Sequence, residues 1–267
     1  MKVNQKVVVV TGAGSGMGRE LTLELVRRGA SVAAIDMRAE TLAETKALGT
    51  ALGGKVETFV IDITDAVKVA KLPNDITKKL GEPDALINNA GIIQPFVKIN
   101  ELSLESAAKV MNVNFTGPLM MVKAFLPGLL ARSEAHILNV SSMGAYAPVP
   151  GQSVYGASKA AIKLFTEGLR SELLDTKVGV TIVFPGAIAT NIAQNSGMAI
   201  PAGGSDAASS FKMTEAPVAA KKMVDAIENN KPRITIGQDA TTMDILSRLN
   251  PIMAANIIYK QMKILLG

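Results

Sequence analysis

The sequence predicts an α/β domain in which a parallel sheet is covered by helices on both faces. Three observations carry this. Short continuous apolar runs, such as Val7–Val10, alternate with longer amphipathic stretches through the first two thirds of the chain. Runs of that kind are strands buried on both faces. With 267 residues, 48% hydrophobic and 19% charged, the chain can bury a sizeable core as one α/β domain. No repeat of fixed period and no linker divides it.

Taken in order, Val7–Val10 is a strand and Gly16–Arg28 a helix. Ser31–Asp36 and Val56–Ile61 are strands separated by a helix over Ala39–Leu52. Asp65–Leu80 is helical and Ala85–Asn88 is a strand. A long helical region follows from Leu104 to Ala131, with Pro118 expected to interrupt or bend it. His136–Val140 is a strand, Ser153–Leu174 a helix and Val178–Phe184 a strand. Lys212–Glu228 reads as a helix and Arg233–Ile236 as a last strand. The alternation is that of a doubly wound sheet. Residues Ala187–Phe211 are rich in Gly, Ala, Ser and Asn without a period, and a loop that long in a compact domain is usually functional.

Composition excludes several chemistries. There is no Cys, which removes disulfides, Cys-ligated zinc, iron–sulfur clusters and thiol catalysis. The single His, His136, rules out sites needing several imidazoles and reads as structural. Three Tyr, seven Phe and no Trp leave few stacking platforms for bases, and the basic residues are spread along the chain. A net charge of +5 therefore points to an anionic small molecule rather than nucleic acid. No continuous apolar run of about 18 residues is present, so no transmembrane helix is expected. The four-valine run near the N-terminus is too short for a signal-peptide core, and a cytoplasmic location is expected.

Thr11-Gly-Ala-Gly-Ser-Gly-Met-Gly18 follows a strand and opens a helix. Glycine there permits a tight turn and close approach of backbone to a pyrophosphate, and the helix offers free N–H groups and a positive dipole end. Gly12, Ser15, Gly16, Met17 and Gly18 are the candidate lining. Asp36 ends the next strand, where a carboxylate can accept hydrogen bonds from both ribose hydroxyls. It would repel a 2′-phosphate, which favours NAD over NADP. Met37 is not basic, but Arg38 follows it.

Tyr155-Gly-Ala-Ser-Lys159 opens a predicted helix, and residues i and i+4 share a face. A free phenol titrates near ~10. A neighbouring ammonium, here Lys159, favours the phenolate and an oxidised nicotinamide adds more positive charge, so Tyr155 is expected to exchange a proton with an alcohol near neutral pH. Ser142 lies just upstream at the carboxyl end of a strand, where ligands bind in open α/β sheets. Ser141 is the competing hydroxyl and points to the opposite side of the chain. Asn114 sits in the long apolar helical region and needs a buried partner, such as a water reaching Lys159.

Together these segments resemble the short-chain dehydrogenase/reductase family over about residues 5–237. The matching pieces are Thr11–Gly18, Asp62-Ile63, Asn88-Asn-Ala-Gly91, Asn114, Ser142, Tyr155 with Lys159, and Pro185-Gly-Ala-Ile-Ala-Thr190. The resemblance implies a Rossmann-like sheet of seven strands and a catalytic tetrad of Asn114, Ser142, Tyr155 and Lys159. It implies that Asp62 and Ile63 border the adenine, that Asn89, Ala90 and Gly91 line the cofactor ribose, and that Pro185, Gly186, Ile188 and Thr190 carry the nicotinamide end. Lys159 and Tyr155 would also touch the nicotinamide ribose. Family members often form dimers or tetramers through two long helices.

The implied activity interconverts a secondary alcohol and a ketone with NAD. Met143, Gln152, Met198 and Met213 are candidate pocket residues, and the apolar loop hints at a steroid-, retinoid-, terpenoid- or acyl-like substrate. A 3-oxoacyl-thioester reductase is the nearest alternative, and a non-catalytic dinucleotide-binding regulator is the alternative of another class. Residues 1–240 would form the catalytic domain, with the substrate loop at 187–212, and 241–267 a helical extension. Its apolar stretch Met243–Leu266, broken at Pro251, could pack on its own or a partner subunit, cover the substrate mouth, or lie on an anionic membrane surface.

Overall fold

The computed structural model describes residues 1–190, 192, 196 and 213–263. Seven parallel strands form one sheet: β1 (Val7–Thr11), β2 (Ser31–Asp36), β3 (Val56–Val60), β4 (Ala85–Asn88), β5 (Ala135–Val140), β6 (Val178–Pro185) and β9 (Arg233–Ile236). Two short strands, β7 (Ile188–Ala189) and β8 (Thr214–Glu215), pair with each other beside it. The helices are α1 (Gly16–Arg27), α2 (Ala39–Ala51), α3 (Ala66–Leu80), α4 (Leu104–Met111), α5 (Gly117–Leu130), α6 (Ser153–Glu172), α7 (Ala216–Glu228), α8 (Gln238–Leu249) and α9 (Pro251–Met262).

Sheet order is β3-β2-β1-β4-β5-β6-β9. The chain starts at the centre, winds outward through β2 to β3, and returns to lay β4 against the other side of β1. That reversal opens a crevice at the carboxyl ends of β1 and β4. The valine run of β1 explains why both faces are closed. Val8 and Val10 pack into the layer beneath α1 and α7, with Leu21, Leu25, Met223 and Val224. Val7 and Val9 face the other layer, with Leu72, Ile76, Phe125 and Leu129 of α3 and α5.

Several elements differ from expectation. The helical region from Leu104 is not bent at Pro118. It is interrupted just before it, by a π-helical turn at Asn112–Thr116, and Pro118 sits in the first turn of α5, where its missing N–H costs nothing. The run Leu104–Leu130, with a mean hydropathy of 1.3, is long and apolar enough to cross a membrane on composition alone, which the expectation of no such segment missed. In this fold its Met121, Val122, Phe125 and Leu129 are buried in the layer that covers the sheet. The α7 helix starts at Ala216 because Thr214–Glu215 first pair with Ile188–Ala189, and Pro217 then occupies the first turn.

The C-terminal apolar stretch breaks where expected. Asn250 caps α9 by accepting a hydrogen bond from the Met253 N–H at 2.9 Å, and Pro251 follows as a first-turn proline. Met243, Ala254 and Ile258 form a small core with Ala147, flanked by Tyr146 and Val149. The Tyr146 hydroxyl donates to the Ala240 carbonyl at 2.8 Å. The extension thus packs on the segment that directly follows Ser142.

Candidate functional site

The glycine-rich turn connects β1 to α1. Gly12 adopts φ +67°, and a methyl group there would press on the Ala90 backbone. At Gly18 a methyl group would overlap the Gly12 carbonyl, so the turn and the first helical turn close on each other only with glycine at both places. Thr11 ties this turn to the end of β4: its hydroxyl accepts from the Asn89 and Ala90 N–H groups at 3.0 and 3.1 Å. The Asn89 amide donates to the Thr11 carbonyl at 3.0 Å, leaving its buried Oδ1 without a partner. Ser15 N-caps α1 in an extended conformation, Met17 packs at the edge of the core, and no acid lies in the first turn. A glycine cradle, a helix N-terminus and an unpaired amide oxygen together fit a dinucleotide phosphate and ribose.

Asp36 lies at the end of β2 beside this turn. Its carboxylate accepts from the Gly14 N–H at 3.0 Å and the Arg38 N–H at 3.1 Å, and pairs with the Arg38 guanidinium at 3.6 Å. Arg38 also donates to Ser15 Oγ at 3.1 Å. Met37 is exposed. Asp62 turns its carboxylate onto its own loop, accepting from the Thr64 N–H at 2.9 Å. The Ile63 side chain is buried against Gly117, so it faces the protein core.

Thr190 lies against Gly16, which brings the segment after β6 onto the glycine turn. Asp239, in α8, holds that segment: its carboxylate accepts from the Ala187 N–H at 2.7 Å. Pro185 ends β6, Gly186 donates its N–H to the Ile236 carbonyl at 2.8 Å, and Ile188 packs at the edge of the core.

Asn114, Ser142, Tyr155 and Lys159 converge next to this crevice. Tyr155 and Lys159 occupy consecutive turns of α6, with Lys159 Nζ 5.8 Å from the phenol ring centroid. The ammonium is buried and donates to the Val140 carbonyl at 3.1 Å. Ser142 Oγ accepts from the Gly144 N–H at 3.0 Å, and a methyl group on Gly144 would stand 3.4 Å from both that oxygen and the Tyr155 ring, so the hydroxyl and the phenol flank one glycine. Ser141, the competing hydroxyl, is buried and donates to the Lys159 carbonyl at 2.7 Å.

The surroundings of Asn114 and Tyr155 add what spacing alone does not give. Asn114 is buried, but its partner is the main chain: Oδ1 accepts from the Ile92 N–H, and Nδ2 donates to the Ile92 carbonyl, all at 2.9 Å. Nδ2 also donates to Ser158 Oγ at 3.0 Å, so the side-chain amide braces the loop after β4 against α6. Without the cofactor, burial pushes the Tyr155 phenol above its ordinary value, and the neighbouring Ser142 hydroxyl pulls it down. Burial also lowers the Lys159 ammonium to about 8. Sequence spacing counted the neighbouring charge and could not count the desolvation.

Of the candidate pocket residues, Met143 follows Ser142 and is half-buried, and Met213 is exposed. Gln152 is buried; its Nε2 donates to the Gln94 carbonyl at 2.8 Å, and its Oε1 has no partner. Met198 lies outside the described residues. Among the described residues no cluster of His, Cys, Asp and Glu could hold a metal ion. Sequence reasoning passed over Thr11, Gln94 and Asp239, because each acts on segments far away in the chain.

The short chain dehydrogenase sequence model matches residues 6–200. The protein SadH of Mycobacterium tuberculosis is 35% identical over 250 residues, covering 91% of this chain and 90% of SadH. Among solved structures, a short chain dehydrogenase/reductase from Burkholderia phymatum in complex with NAD superposes with a TM-score of 0.85 at 27% identity, covering 93% of this chain and 94% of that one. A short chain dehydrogenase from Burkholderia cenocepacia J2315 in complex with NADP gives 0.81 at 29% identity, covering 97% and 99%. With the sheet order, the glycine crevice and these matches in agreement, the chain belongs to the short chain dehydrogenase family of oxidoreductases.

Proposed function

We propose that the protein oxidises a secondary alcohol to a ketone with NAD, and catalyses the reverse reduction. The observation that carries this reading is the buried Lys159 ammonium 5.8 Å from the Tyr155 ring centroid, with the Ser142 hydroxyl on the same side of Gly144 as the phenol. In this reading Ser142 orients the substrate oxygen and Tyr155 takes the carbinol proton. Lys159 supplies the positive charge that favours the phenolate, and Asn114 holds α6 to the loop after β4. When bound, NAD supplies the hydride acceptor and a further positive charge. The glycine turn, Asp36 and the segment Pro185–Thr190 would hold it.

Asp36 supports NAD over NADP because its carboxylate, beside the glycine turn, would repel a 2′-phosphate. The relative bound to NADP, and Arg38 beside Asp36 and Ser15, leave NADP as a second substrate of lower efficiency. The half-buried Met143, directly after Ser142, supports a lipophilic alcohol of the steroid, retinoid, terpenoid or acyl type. A 3-oxoacyl-thioester reductase is the second enzymatic reading, and Asp36 opposes it because such enzymes usually take NADPH. A regulator without catalysis has no need for a desolvated Lys159 beside a phenol, an arrangement that costs stability.

The test is a panel of secondary alcohols incubated with NAD and followed by NADH absorbance, with Tyr155→Phe in parallel. The reading expects turnover in the wild type, loss of about 10³-fold or more in Tyr155→Phe, and unchanged NAD binding by calorimetry. Turnover that survives in Tyr155→Phe refutes the assigned proton transfer.

A further inference from the structure

We infer that Gln94 is a positioning residue that caps the amino end of the Tyr155 helix from the loop following Gly91. The inference rests on the dehydrogenase reading for its consequence and on geometry for its existence. The first N–H groups of a helix have no partner within the helix, and a local Ser, Thr, Asp or Asn normally accepts from them. At α6 the residue in that place is Gln152, whose side chain makes no capping bond. The acceptor comes instead from about 60 residues upstream: Gln94 Oε1 accepts from the Val154 N–H at 2.8 Å and the Tyr155 N–H at 2.9 Å.

Gln94 is 1% exposed, so water does not compete for these bonds. Its other side-chain atom is engaged too, with Nε2 donating to the Gly151 carbonyl at 2.8 Å. Gln152 closes the pair by donating to the Gln94 carbonyl at 2.8 Å. The clamp therefore fixes the backbone on both sides of the start of α6, including the main chain of the phenol-bearing residue itself.

The same loop touches the rest of the group. A methyl group on Gly91 would stand 3.1 Å from Lys159 Nζ and 3.2 Å from Asn114 Oδ1. Ile92 exchanges two hydrogen bonds with Asn114. Residues Gly91, Ile92 and Gln94 thus contact Lys159, Asn114 and Tyr155 in turn. This short strap begins at Asn89 and Ala90, which Thr11 anchors to the glycine turn. The strap fixes the distance between the dinucleotide crevice and the phenol, and a misplacement of about 1 Å there costs about 10²-fold in rate.

Gln94→Met and Gln94→Glu in the full chain separate positioning from mere packing. Methionine keeps the volume and removes every polar contact. Glutamate keeps an acceptor oxygen for both amides and forfeits the bond to Gly151. Amide hydrogen exchange at Val154 and Tyr155 needs no substrate: protection is expected to fall at least about tenfold in Gln94→Met and to persist in Gln94→Glu. With an alcohol that the wild type turns over, kcat is expected to fall between about 10- and 100-fold in Gln94→Met, with the Kd for NAD changed less than about threefold. Gln94→Glu is expected to recover most of that loss. Equal amide protection in wild type and Gln94→Met overturns the cap. A kcat within about twofold of wild type in Gln94→Met, or an equal loss in both variants, overturns the positioning role. A wild type that turns over no alcohol while amide protection follows the expected pattern overturns the dehydrogenase reading and leaves the cap supported.

Discussion

The two ends of the parallel sheet differ in how fully their buried polar groups are paired. At the amino ends, Asp84 is nearly inaccessible, yet its carboxylate accepts from the Val7 N–H at 3.0 Å and from Arg132 at 2.7 and 3.0 Å. Lys6 approaches it at 3.3 Å. His136 sits 2.8 Å from Thr181 Oγ1, and that hydroxyl donates its one proton to the Lys231 carbonyl. His136 Nε2 must then be the donor, which fixes the neutral tautomer. At the carboxyl ends, Asn88 Oδ1, Asn89 Oδ1 and Gln152 Oε1 are buried without partners, and the Lys159 ammonium rests on a carbonyl. Saturated polar clusters stabilise a fold, whereas unsaturated ones cost stability and persist where a ligand or reaction can use them.

If that contrast is sound, mutations at the two ends separate activity from stability. The largest effect is expected from Lys159→Met. Loss of the charge beside Tyr155 lowers kcat about 10³-fold, while the melting temperature rises or stays level because a desolvated ammonium has been removed. The sign of its pH dependence follows. The folded ammonium titrates at about 8, below its ordinary 10.5. As pH rises from 8 toward 10.5 the folded state has released a proton that the unfolded chain still holds, so wild-type stability gains in that window. Thermal melts across it are expected to show a weaker gain in Lys159→Met, and a fall in melting temperature at pH 7 would break the contrast.

Asp84→Ala is the counterpart. Removing the shared acceptor leaves Arg132, Lys6 and the Val7 N–H without it, and about 3 kcal/mol of stability is expected to go, read by denaturant unfolding. KM and kcat at temperatures below the transition are expected to hold within about twofold, since no residue of the crevice touches Asp84.

His136 sharpens the amino-end side through pH. Burial lowers its pKa to about 3 from 6.5. Between those values the unfolded chain binds a proton that the folded chain does not, so stability is lost as pH falls from 6.5 toward 3. By pH 5 the loss amounts to about 2 kcal/mol. His136→Gln is expected to flatten this part of the acid limb in melts from pH 7 to 5, and an unchanged limb would place the acid sensitivity elsewhere.

The same contrast explains what was legible in the sequence. The glycine turn, Asp36, and the pair Tyr155 and Lys159 were readable because their spacing is local: a strand-to-helix turn, a strand end and one helical turn. Ser142 was readable against Ser141 because neighbouring residues of an extended segment point to opposite sides. The bend in the long helix was assigned to Pro118, whereas Asn114 occupies it, since proline advertises itself in sequence and a side chain bonded to Ile92 does not. Gln94 and Asp239 were invisible because their partners lie about 60 and 50 residues away and involve main-chain atoms that any sequence supplies. The ionisation of Tyr155 is only partly legible for a related reason: charge neighbours can be counted along a helix, but burial, which pushes the phenol up, depends on the whole fold.

The smallest expected effect concerns Asp36, whose carboxylate is already well supplied. Its carboxylate accepts from Gly14 and Arg38 main-chain groups and pairs with the Arg38 side chain at 3.6 Å. A bound ribose must therefore share an acceptor already in use, which predicts a selectivity of moderate size rather than an absolute one. In Asp36→Ala the repulsion toward a 2′-phosphate disappears and Arg38 loses its carboxylate partner beside Ser15. The ratio of kcat/KM for NADP to that for NAD is expected to rise at least about tenfold, about 1.4 kcal/mol. Part of that change should come from weaker use of NAD, because the Gly14 N–H also loses its acceptor. Adding Arg38→Ala to this background is expected to take back most of the NADP gain, since a guanidinium is the group that pairs with phosphate there. A ratio that does not move in the single variant would remove Asp36 from cofactor choice and make its role structural, like that of Asp84 at the opposite end.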